Sequence, residues 1–269
     1  CVFVDAGLRA CLFVFLALKE VIMSQWHEDD AFWNAFYPVM FSDARWAVAE
    51  AEVQSGMSLL GAIEPLDILD FCCGPGRHTL AMAKFGHRVL GVDRMASYLE
   101  IGRQKAKEVG VDVVFERGDV RSFRKPESFD CAVSLFTSFG YFDDPADDIT
   151  LLENVYASLR PGGKVLMDMS GKEIIAKTFM PRGWSEPEPG LLWLEDRKVL
   201  PGWAGIENKW TLLRGEEKFE HVLSIRLYSG IELRTALTGV GFSKVELFGS
   251  LDGDPYDHMA RRLVAVGVK

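Results

Sequence analysis

The chain has 269 residues, of which 48% are hydrophobic, so it can bury one large core or a core with a small additional lobe. Its formal charge is −9, from 30 Lys and Arg against 39 Asp and Glu, and no run of five basic residues occurs. Binding to a phosphate backbone depends on clustered positive charge, so the composition predicts that nucleic acid is not a partner.

The cysteine pattern argues against both disulfides and a structural metal. The chain has five cysteines, an odd number, and Cys72 and Cys73 are adjacent. Neither a CxxC motif nor a Cys/His ligand spacing is present. We therefore expect a reducing, cytoplasmic setting with no metal site, and we expect Cys131, which lies in an apolar run, to be a small core residue.

The first 22 residues begin without methionine and contain an apolar run at 10–18. That run is too short for a membrane-spanning helix, which needs about 20 apolar residues. A signal peptide is a second interpretation, but Lys19 and Glu20 stand where a small-residue cleavage site is expected. We favour a true start at Met23, with residues 1–25 as an N-terminal extension and no membrane partner. Whether residues 1–22 are native stays open.

From residue 28 to residue 61 the pattern is helical and rich in aromatic side chains, and strands and helices then alternate. The predicted strands are 66–71, 88–93, 111–116, 129–135 and 163–169, with helices near 77–85, 95–109 and 145–160. We expect Gly162 and Gly163 to end the last of these helices. Short apolar strands that alternate with helices indicate a doubly wound parallel sheet, which binds ligands at the carboxyl ends of its strands.

After about residue 180 the composition changes to a region rich in Pro and Trp, which includes Trp184, Trp193, Trp203 and Trp210. Alternating stretches near 191–199, 205–213 and 217–228 predict antiparallel strands. A helix at 229–239 and strands at 242–248 and 261–268 follow and complete the main sheet. We therefore interpret residues 180–228 as an insertion that forms a substrate-side lobe. Core packing explains its tryptophans equally well.

An apolar strand runs into a glycine turn at residues 68–78. Glycines at 74 and 76 remove side chains where backbone N–H groups and the positive end of the next helix converge, so an adenosine-type cofactor can approach closely. A second strand ends in Asp93, and a third leads to Asp119. Three strand ends that deliver suitable groups predict a nucleotide-like cofactor site.

These residues resemble a known family. The run Asp70-Phe71-Cys72-Cys73-Gly74-Pro75-Gly76 is similar to D-x-G-x-G-x-G, the first motif of the class I S-adenosylmethionine-dependent methyltransferases, although Cys72 stands where glycine is commoner. Residues 159–163 resemble the turn before the fifth strand of that family, and residues 137–142 and 253–264 resemble a small-molecule branch. The resemblance covers most of the chain from Trp26 onward. It implies an α/β, Rossmann-like domain at 26–269 with a seven-stranded sheet and helices on both faces.

The resemblance also implies which residues contact the cofactor, S-adenosylmethionine. Backbone groups of Cys72, Cys73 and Gly74 are expected to contact its methionine part. The carboxylate of Asp93 suits the two ribose hydroxyls, because it can accept two hydrogen bonds. An ordinary strand-end aspartate that caps the next helix is the alternative interpretation of Asp93.

The adenine is expected to lie near Arg94, Asp119 and Val120. Asp119 is predicted to accept the adenine amino hydrogens, and the Val120 N–H is predicted to donate to a ring nitrogen. A solvated arginine and an ordinary turn aspartate are the alternatives for Arg94 and Asp119. The carbonyl of Leu135, at the end of the fourth strand, is expected to face the cofactor's ammonium group.

Methyl transfer by in-line displacement requires that the protein hold the nucleophile in line with the S–CH3 bond and exclude water. Aromatic rings suit this task. The predicted substrate contacts are Trp33, Phe36, Tyr37, Phe139 and Tyr141, the first three as a lid. Tyr141 is also the candidate catalytic residue, as a base or by orienting one. Core packing is the alternative for the aromatic cluster.

The remaining histidines and arginines receive less specific interpretations. We expect His78, in the first turn of a helix, to serve packing rather than ligand contact. His258 is expected to be solvated. The pair Arg261 and Arg262 is expected to form a solvated strand end.

Two other functions are compatible with the same features. An NAD-dependent dehydrogenase shares the glycine turn and the strand-end acid, but the third glycine of G-x-G-x-x-G would fall on Thr79. A protein that binds S-adenosylmethionine without turnover is the second alternative. The sequence favours a methyltransferase that acts on a small-molecule acceptor. It leaves open the acceptor, the methylated atom (N, O, S or C) and the oligomeric state.

Overall fold

The computed structural model describes residues 25–62 and 64–269, so the predictions for residues 1–24 lie outside the described part of the chain. The strands are β1 Asp67–Phe71, β2 Arg88–Asp93, β3 Val114–Arg117, β4 Phe129–Ser134, β5 Leu159–Met169, β6 Arg182–Glu188, β7 Leu191–Val199, β8 Gly205–Arg214, β9 Glu217–Arg226, β10 Ser243–Phe248 and β11 Leu263–Val268. The helices are α1 Asp30–Ala35, α2 Tyr37–Met40, α3 Asp43–Leu60, α4 Arg77–Lys84, α5 Ala96–Val109, α6 Pro145–Ser158, α7 Lys172–Thr178 and α8 Gly230–Val240.

Seven strands form one large sheet in the order β10-β11-β5-β4-β1-β2-β3. Strands β1 to β5 pair in parallel, and β11 is antiparallel to both of its neighbours. The chain leaves β1 towards β2 and β3 and later returns to the other side of β1 as β4. A crevice therefore forms at the carboxyl ends of β1 and β4, where ligands bind in such sheets. The predicted Rossmann-like, seven-stranded fold is confirmed.

Helices cover both faces of this sheet because successive strand residues point to opposite sides. Ile68 packs with Val53 and Met57 of α3 on one face. Leu69 packs on the other face in a cluster that includes Leu152 of α6. Cys131 is buried in the first of these clusters, as predicted.

Two predicted boundaries differ from the structure for local reasons. Helix α6 begins as expected, with the Asp144 side chain accepting from the N–H of residue 146 at 2.9 Å. It ends at Ser158 rather than at the glycines, because Arg160 precedes a proline and that position disfavours the helical conformation. Gly162 and Gly163 lie in β5. Strand β3 begins only at Val114 because the turn that ends α5 includes residues 110–111.

The insertion forms a separate antiparallel sheet, the small sheet, in the order β6-β7-β8-β9. Its antiparallel character was predicted, but β6 was not. This strand contains Pro187, which an edge strand tolerates because it has an unpaired side. The N-terminal segment, residues 26–41, packs against the small sheet through Trp26, Phe32 and Phe36 in an aromatic cluster. The proposed domain boundaries stay predictions.

Among residues 25–62 and 64–269, no helix has the length and apolar composition needed to cross a membrane. The same residues contain no group of three or more His, Cys, Asp or Glu side chains arranged to hold a metal ion.

Candidate functional site

A cavity of about 400 Å³ lies between the carboxyl ends of the central strands, the N-terminal segment and the small sheet. Such a volume is within the range of small-molecule sites. Most of the predicted site residues line it. They are Trp33, Cys72, Cys73, Gly74, Asp93, Arg94, Asp119, Val120, Leu135 and Tyr141.

The turn after β1 has a left-handed backbone at the three positions where the family motif has glycine. The φ angles are 59° at Cys72, 57° at Gly74 and 83° at Gly76. An added Cβ at Gly74 would lie 3.1 Å from the Phe41 ring, and one at Gly76 would lie 2.5 Å from the Phe115 ring. Glycine is therefore needed at 74 and 76 for both conformation and space. Cys72 accepts a conformation that costs an L-residue about 1–2 kcal/mol.

Asp93 links the end of β2 to this turn. Its carboxylate accepts from the N–H of Gly74 at 2.8 Å and from the N–H of Met95 at 2.9 Å. Burial raises the pKa of Asp93 despite these bonds. Each carboxylate oxygen has a second lone pair, so the group can hold the turn and still accept ribose hydroxyls. The ribose contact itself stays a prediction.

Asp70 lies near the carboxyl end of β1 at the floor of the cavity, buried beside α4. Thr79 donates its hydroxyl to Asp70 Oδ2 at 2.6 Å. Burial raises the pKa of Asp70 to about 7. Burial therefore disfavours the charged form of this carboxyl group at the floor of the cavity.

The predicted adenine end is held by ion pairs. Arg121 donates from Nε to both oxygens of Asp119 at 3.0 Å, and its Nη2 lies 2.6 Å from Oε1 of Glu28. Burial opposes ionisation of Asp119, but Arg121 holds its pKa below the usual value. Asp119 is therefore an ionised acceptor, which suits an adenine amino group. The adenine contact stays a prediction.

Arg94 has a role that the sequence did not indicate. Its guanidinium donates to the carbonyls of His27 at 3.2 Å and Glu28 at 2.8 Å, and to Oδ1 of Asp30 at 2.7 Å. The side chain thus fastens the N-terminal segment over the cavity, which corrects the interpretation as a solvated arginine. Its contact with adenine stays a prediction.

A cluster of arginines that the sequence did not predict lies at the end of the cavity next to β4. The Arg45 and Arg77 guanidinium carbons are 4.1 Å and 4.9 Å from the centroid of the Phe136 ring. Arg77 is 4% exposed. Its Nη1 bonds Glu52 at 2.6 Å, while its Nη2 is buried without a hydrogen-bond partner among the described residues. Arg45 and Arg77 therefore form a positive wall of the cavity.

Glu52 balances only part of this positive charge because a single carboxylate faces the two guanidinium groups of Arg45 and Arg77. His78 Nε2 lies 2.8 Å from the same Glu52 oxygen that Arg77 contacts. Burial opposes ionisation of Glu52, but the hydrogen bond from His78 and the charge of Arg77 lower its pKa to about 2. Burial lowers the pKa of His78. His78 is buried, as expected, and also contacts the cavity.

Arg262 is not a solvated strand end, which corrects the prediction. Its Nε and Nη2 donate to the two oxygens of Asp168 at 2.7 Å and 2.9 Å, and Nη1 donates to Ser170 at 3.0 Å. Arg262 lines the cavity. Its neighbour Arg261 is exposed, as is His258. The two adjacent arginines differ because their side chains point to opposite sides of the chain.

Tyr141 lines the cavity but is poorly suited to act as a base. Its hydroxyl donates to the carbonyl of Thr137 at 2.5 Å, and burial raises its pKa. Both features keep the phenol protonated at neutral pH. Tyr141 is therefore better suited to present its ring to the cavity, where it lies 4.8 Å from the Trp26 ring centroid.

Three predicted substrate contacts do not line the cavity and are corrected. Phe36 is fully buried between α1 and the small sheet, with its ring 5.2 Å from Trp210. Phe139 is buried in the main core against Tyr228. Tyr37 packs against Phe41 and Tyr98. Core packing, the alternative interpretation, holds for Phe36 and Phe139, whereas Tyr37 is half-buried against neighbouring rings. Trp33 is the predicted lid residue that contacts the cavity.

The inner face of the small sheet forms the remaining wall. Its lining side chains are Trp193, Glu195, Arg197, Ile206, Asn208, Trp210 and Ile225. The alternating pattern of β7 and β8 places these residues on one face of the sheet. That alternation was visible in the sequence, but which face would meet a cavity was not.

A family model described as a methyltransferase domain matches residues 68–163, from β1 into β5. The chain is 23% identical over 250 residues to a protein of Geobacillus sp. (strain WCH70) that carries a provisional methyltransferase name, and the match covers 90% of this chain and 99% of that protein. These matches confirm the predicted resemblance to class I S-adenosylmethionine-dependent methyltransferases, and the predicted enzyme class and cofactor are confirmed.

Solved methyltransferases share the fold at low sequence identity. An S-adenosylmethionine-dependent methyltransferase from Clostridium acetobutylicum ATCC 824 superposes with a TM-score of 0.73 at 14% identity, covering 89% of this chain and 98% of that one. CalS10 with bound S-adenosylmethionine, an amino pentose methyltransferase from Micromonospora echinaspora, gives 0.64 at 18% identity, covering 88% and 96%. At these identities the likeness concerns the fold.

The cavity of this methyltransferase fits its cofactor on three independent features. Gly74 has no side chain, so a ligand can contact the backbone there, and the Asp93 carboxylate has lone pairs that are free to accept further hydrogen bonds. The buried Nη2 of Arg77 lacks a partner among the described residues. A zwitterionic amino acid joined to a nucleoside supplies a group for each of these three features.

Proposed function

We propose that the protein transfers the methyl group of S-adenosylmethionine to a small-molecule acceptor by in-line displacement inside this cavity. The observation that carries the proposal is that one cavity is lined both by the strand ends Cys72, Asp93 and Leu135 and by the small sheet. Donor and acceptor can therefore meet in the same cavity. When bound, S-adenosylmethionine supplies an electrophilic methyl group on a sulfonium. The protein contributes orientation and exclusion of water.

We assign the cofactor half of the cavity to the residues at the strand ends. Asp93 accepts the ribose hydroxyls, and Asp119 with the N–H of Val120 binds the adenine edge. Backbone groups from Cys72 to Gly74 and the carbonyl of Leu135 face the methionine part. These roles match the order in which β1, β2, β3 and β4 lie across the sheet.

Arg45 and Arg77 bind the carboxylate of the methionine part in this proposal. Both guanidinium groups lie at the end of the cavity next to β4, beyond the glycine turn, and carry more positive charge than Glu52 neutralises. Hydrogen bonds between arginine and carboxylate are among the strong ones in proteins. The buried Nη2 of Arg77 would gain its missing partner.

The acceptor half lies between Trp33, Tyr141 and the small sheet. Tyr141 keeps its proton and serves as a fixed aromatic wall, and we assign no general base. The relative CalS10 is named for an amino pentose acceptor, which supports a small molecule as the acceptor here. The residues that line the cavity leave the methylated atom open.

Calorimetry with S-adenosylmethionine and NAD, followed by assay of S-adenosylhomocysteine release, tests this function. We expect binding of S-adenosylmethionine with no detectable binding of NAD, and release of S-adenosylhomocysteine when a metabolite extract is added. A preference for NAD would refute the methyltransferase assignment. Tight S-adenosylmethionine binding with no release from any extract would favour a binding protein without turnover.

The assignment of Arg45 and Arg77 has its own test. S-adenosylhomocysteine carries the amino-acid carboxylate, and 5′-methylthioadenosine does not. An Arg45→Gln or Arg77→Gln variant should lose about tenfold affinity for the first ligand and none for the second. Equal losses for the two ligands would contradict the assignment.

A further inference from the structure

Three polar side chains on the inner face of the small sheet, Glu195, Arg197 and Asn208, line the cavity among mostly apolar neighbours. The strand register places Glu195 of β7 opposite Trp210 of β8, and Arg197 opposite Asn208. On the same face, Leu191, Leu212 and Leu223 belong to the aromatic cluster beneath the N-terminal segment. Polar residues at the centre of such a face require an explanation other than packing.

These three side chains are strongly shielded from solvent. Glu195 and Arg197 form an ion pair, with their side chains 12% and 24% exposed. Asn208 is 4% exposed, and its Oδ1 has no hydrogen-bond partner among the described residues. A buried polar atom without a partner destabilises the fold by about 1–3 kcal/mol. Its presence on a cavity wall is therefore best explained by a ligand that supplies the partner.

The charges on this wall indicate what kind of ligand. Glu195 and Arg197 neutralise each other, unlike the positive pair Arg45 and Arg77 at the cofactor end. A ligand with a net charge would gain nothing from a neutral pair. The wall nevertheless offers both donors and acceptors, because guanidinium donates, carboxylate accepts and the Asn208 amide does both. Hydroxyl groups match this mixture, since each one both donates and accepts.

Aromatic surfaces next to these polar groups define the shape of the ligand. Trp193 and Trp210 line the cavity, and their rings meet edge to face with centroids 5.0 Å apart. Tryptophan provides a large, rigid apolar surface. A compact ring with hydroxyls at its edge and C–H groups on its faces can use both features at once.

We propose that Glu195, Arg197 and Asn208 bind the hydroxyl groups of a polyhydroxylated acceptor, a glycosyl ring, whose C–H face packs on Trp193 and Trp210. This inference rests on the proposed function and names the acceptor class for the same cavity. It requires no new chemical step. These residues choose and orient the acceptor, and the methyl transfer itself occurs at the cofactor end.

The test uses S-adenosylhomocysteine release with defined acceptors. The panel contains 4-nitrophenyl glycosides of a hexose, a 6-deoxyhexose, an aminohexose and a pentose, each compared with 4-nitrophenol and hexylamine. We expect release with at least one glycoside and none with the two compounds that lack a sugar. Glu195→Gln and Asn208→Ala should each raise the KM for that glycoside by about tenfold with a smaller change in kcat.

Asp196→Asn is the matched control. Asp196 lies on the same strand as Glu195 but on the opposite face of the sheet, and its side chain is 63% exposed. The KM of the Asp196→Asn variant for the glycoside should therefore equal that of the parent. Melting temperatures show whether each variant is folded, and Asn208→Ala supplies a second result should Glu195→Gln fail to fold. A KM that is unchanged in the folded Glu195→Gln and Asn208→Ala variants would overturn the inference.

The panel also separates this inference from the proposed function. Release that occurs with a metabolite extract but with no glycoside, or release confined to 4-nitrophenol or hexylamine, would overturn the glycosyl acceptor and leave the methyltransferase function intact. Absence of S-adenosylmethionine binding, or of release with the extract and the whole panel, would overturn both.

Discussion

Substituting Gly74 by alanine tests how closely the turn after β1 is fitted to its ligand and to the N-terminal segment. The φ angle of 57° alone costs an L-residue about 1–2 kcal/mol. The added Cβ would lie 3.1 Å from Cζ and 3.2 Å from Cε1 of Phe41, so that ring must move by a few tenths of an ångström. We expect the free energy of unfolding to fall by about 2 kcal/mol.

The same change should weaken cofactor binding. The N–H of Gly74 is the donor that Asp93 accepts at 2.8 Å, so a shifted turn also moves the proposed ribose acceptor. We expect the affinity for S-adenosylmethionine to fall by at least about tenfold, equivalent to about 1.4 kcal/mol. Urea denaturation gives the stability, and titration calorimetry gives the affinity.

Gly86→Ala is the matched control for this experiment. Gly86 has a φ angle of 87°, and an added Cβ would meet nothing within 4 Å. This variant should lose a similar backbone contribution of about 1–2 kcal/mol and bind S-adenosylmethionine as the parent does. Parent-like affinity in Gly74→Ala would refute the contact between this turn and the cofactor.

Three further predictions follow from the site geometry. Asp93→Ala removes the acceptor for two backbone N–H groups and should lower S-adenosylmethionine affinity at least about tenfold. Calorimetry that finds no change would contradict the ribose contact, with the exposed Asp112→Ala as control. Tyr141→Phe should lower turnover more than cofactor affinity and leave the shape of the pH–rate profile unchanged, because burial raises the pKa of Tyr141. Loss, in Tyr141→Phe, of a rate that rises with pH in the parent would show that Tyr141 acts as a base. The pKa of Glu52 is about 2 against a usual 4.5, so Glu52 stabilises the fold above about pH 4.5 and this contribution is lost as pH falls towards 2. Thermal unfolding from pH 6 to 2.5 should therefore be less pH-dependent in Glu52→Gln than in the parent, and equal slopes would count against the Glu52 contacts.

The sequence was sufficient to predict the features that follow from the succession of residues along the chain. Apolar strands followed by Gly74, Asp93 and Asp119 predicted both the sheet and the edge at which the groups meet. This works because parallel strands bring their carboxyl ends to one side. The motif also drew attention to Cys72, which stands where glycine is commoner. The structure gives the reason for that preference, because the φ angle at this position is 59°.

Features that depend on contacts between distant segments were missed. Arg45 and Arg77 meet only because α3 packs beside α4, and the sequence places them 32 residues apart. Arg262 binds Asp168 across β11 and β5, a pairing separated by 94 residues. No local pattern distinguishes such arginines from solvated ones, so a solvated strand end was the natural but wrong prediction for Arg262.

Aromatic residues were the hardest to assign because burial in the core and contact with a ligand leave the same pattern. Phe36 and Phe139 pack into cores, whereas Trp33 and Tyr141 line the cavity. The direction in which each ring points is set by packing between the N-terminal segment and the small sheet. That packing was not visible from periodicity.

The most direct measurement is a crystal structure of the protein with S-adenosylhomocysteine. The account predicts the nucleoside between Cys72 and Leu135, both ribose hydroxyls on the Asp93 carboxylate, the adenine at Asp119 and the carboxylate on Arg45 and Arg77. A ligand bound elsewhere, or a ribose that does not contact Asp93, would contradict it.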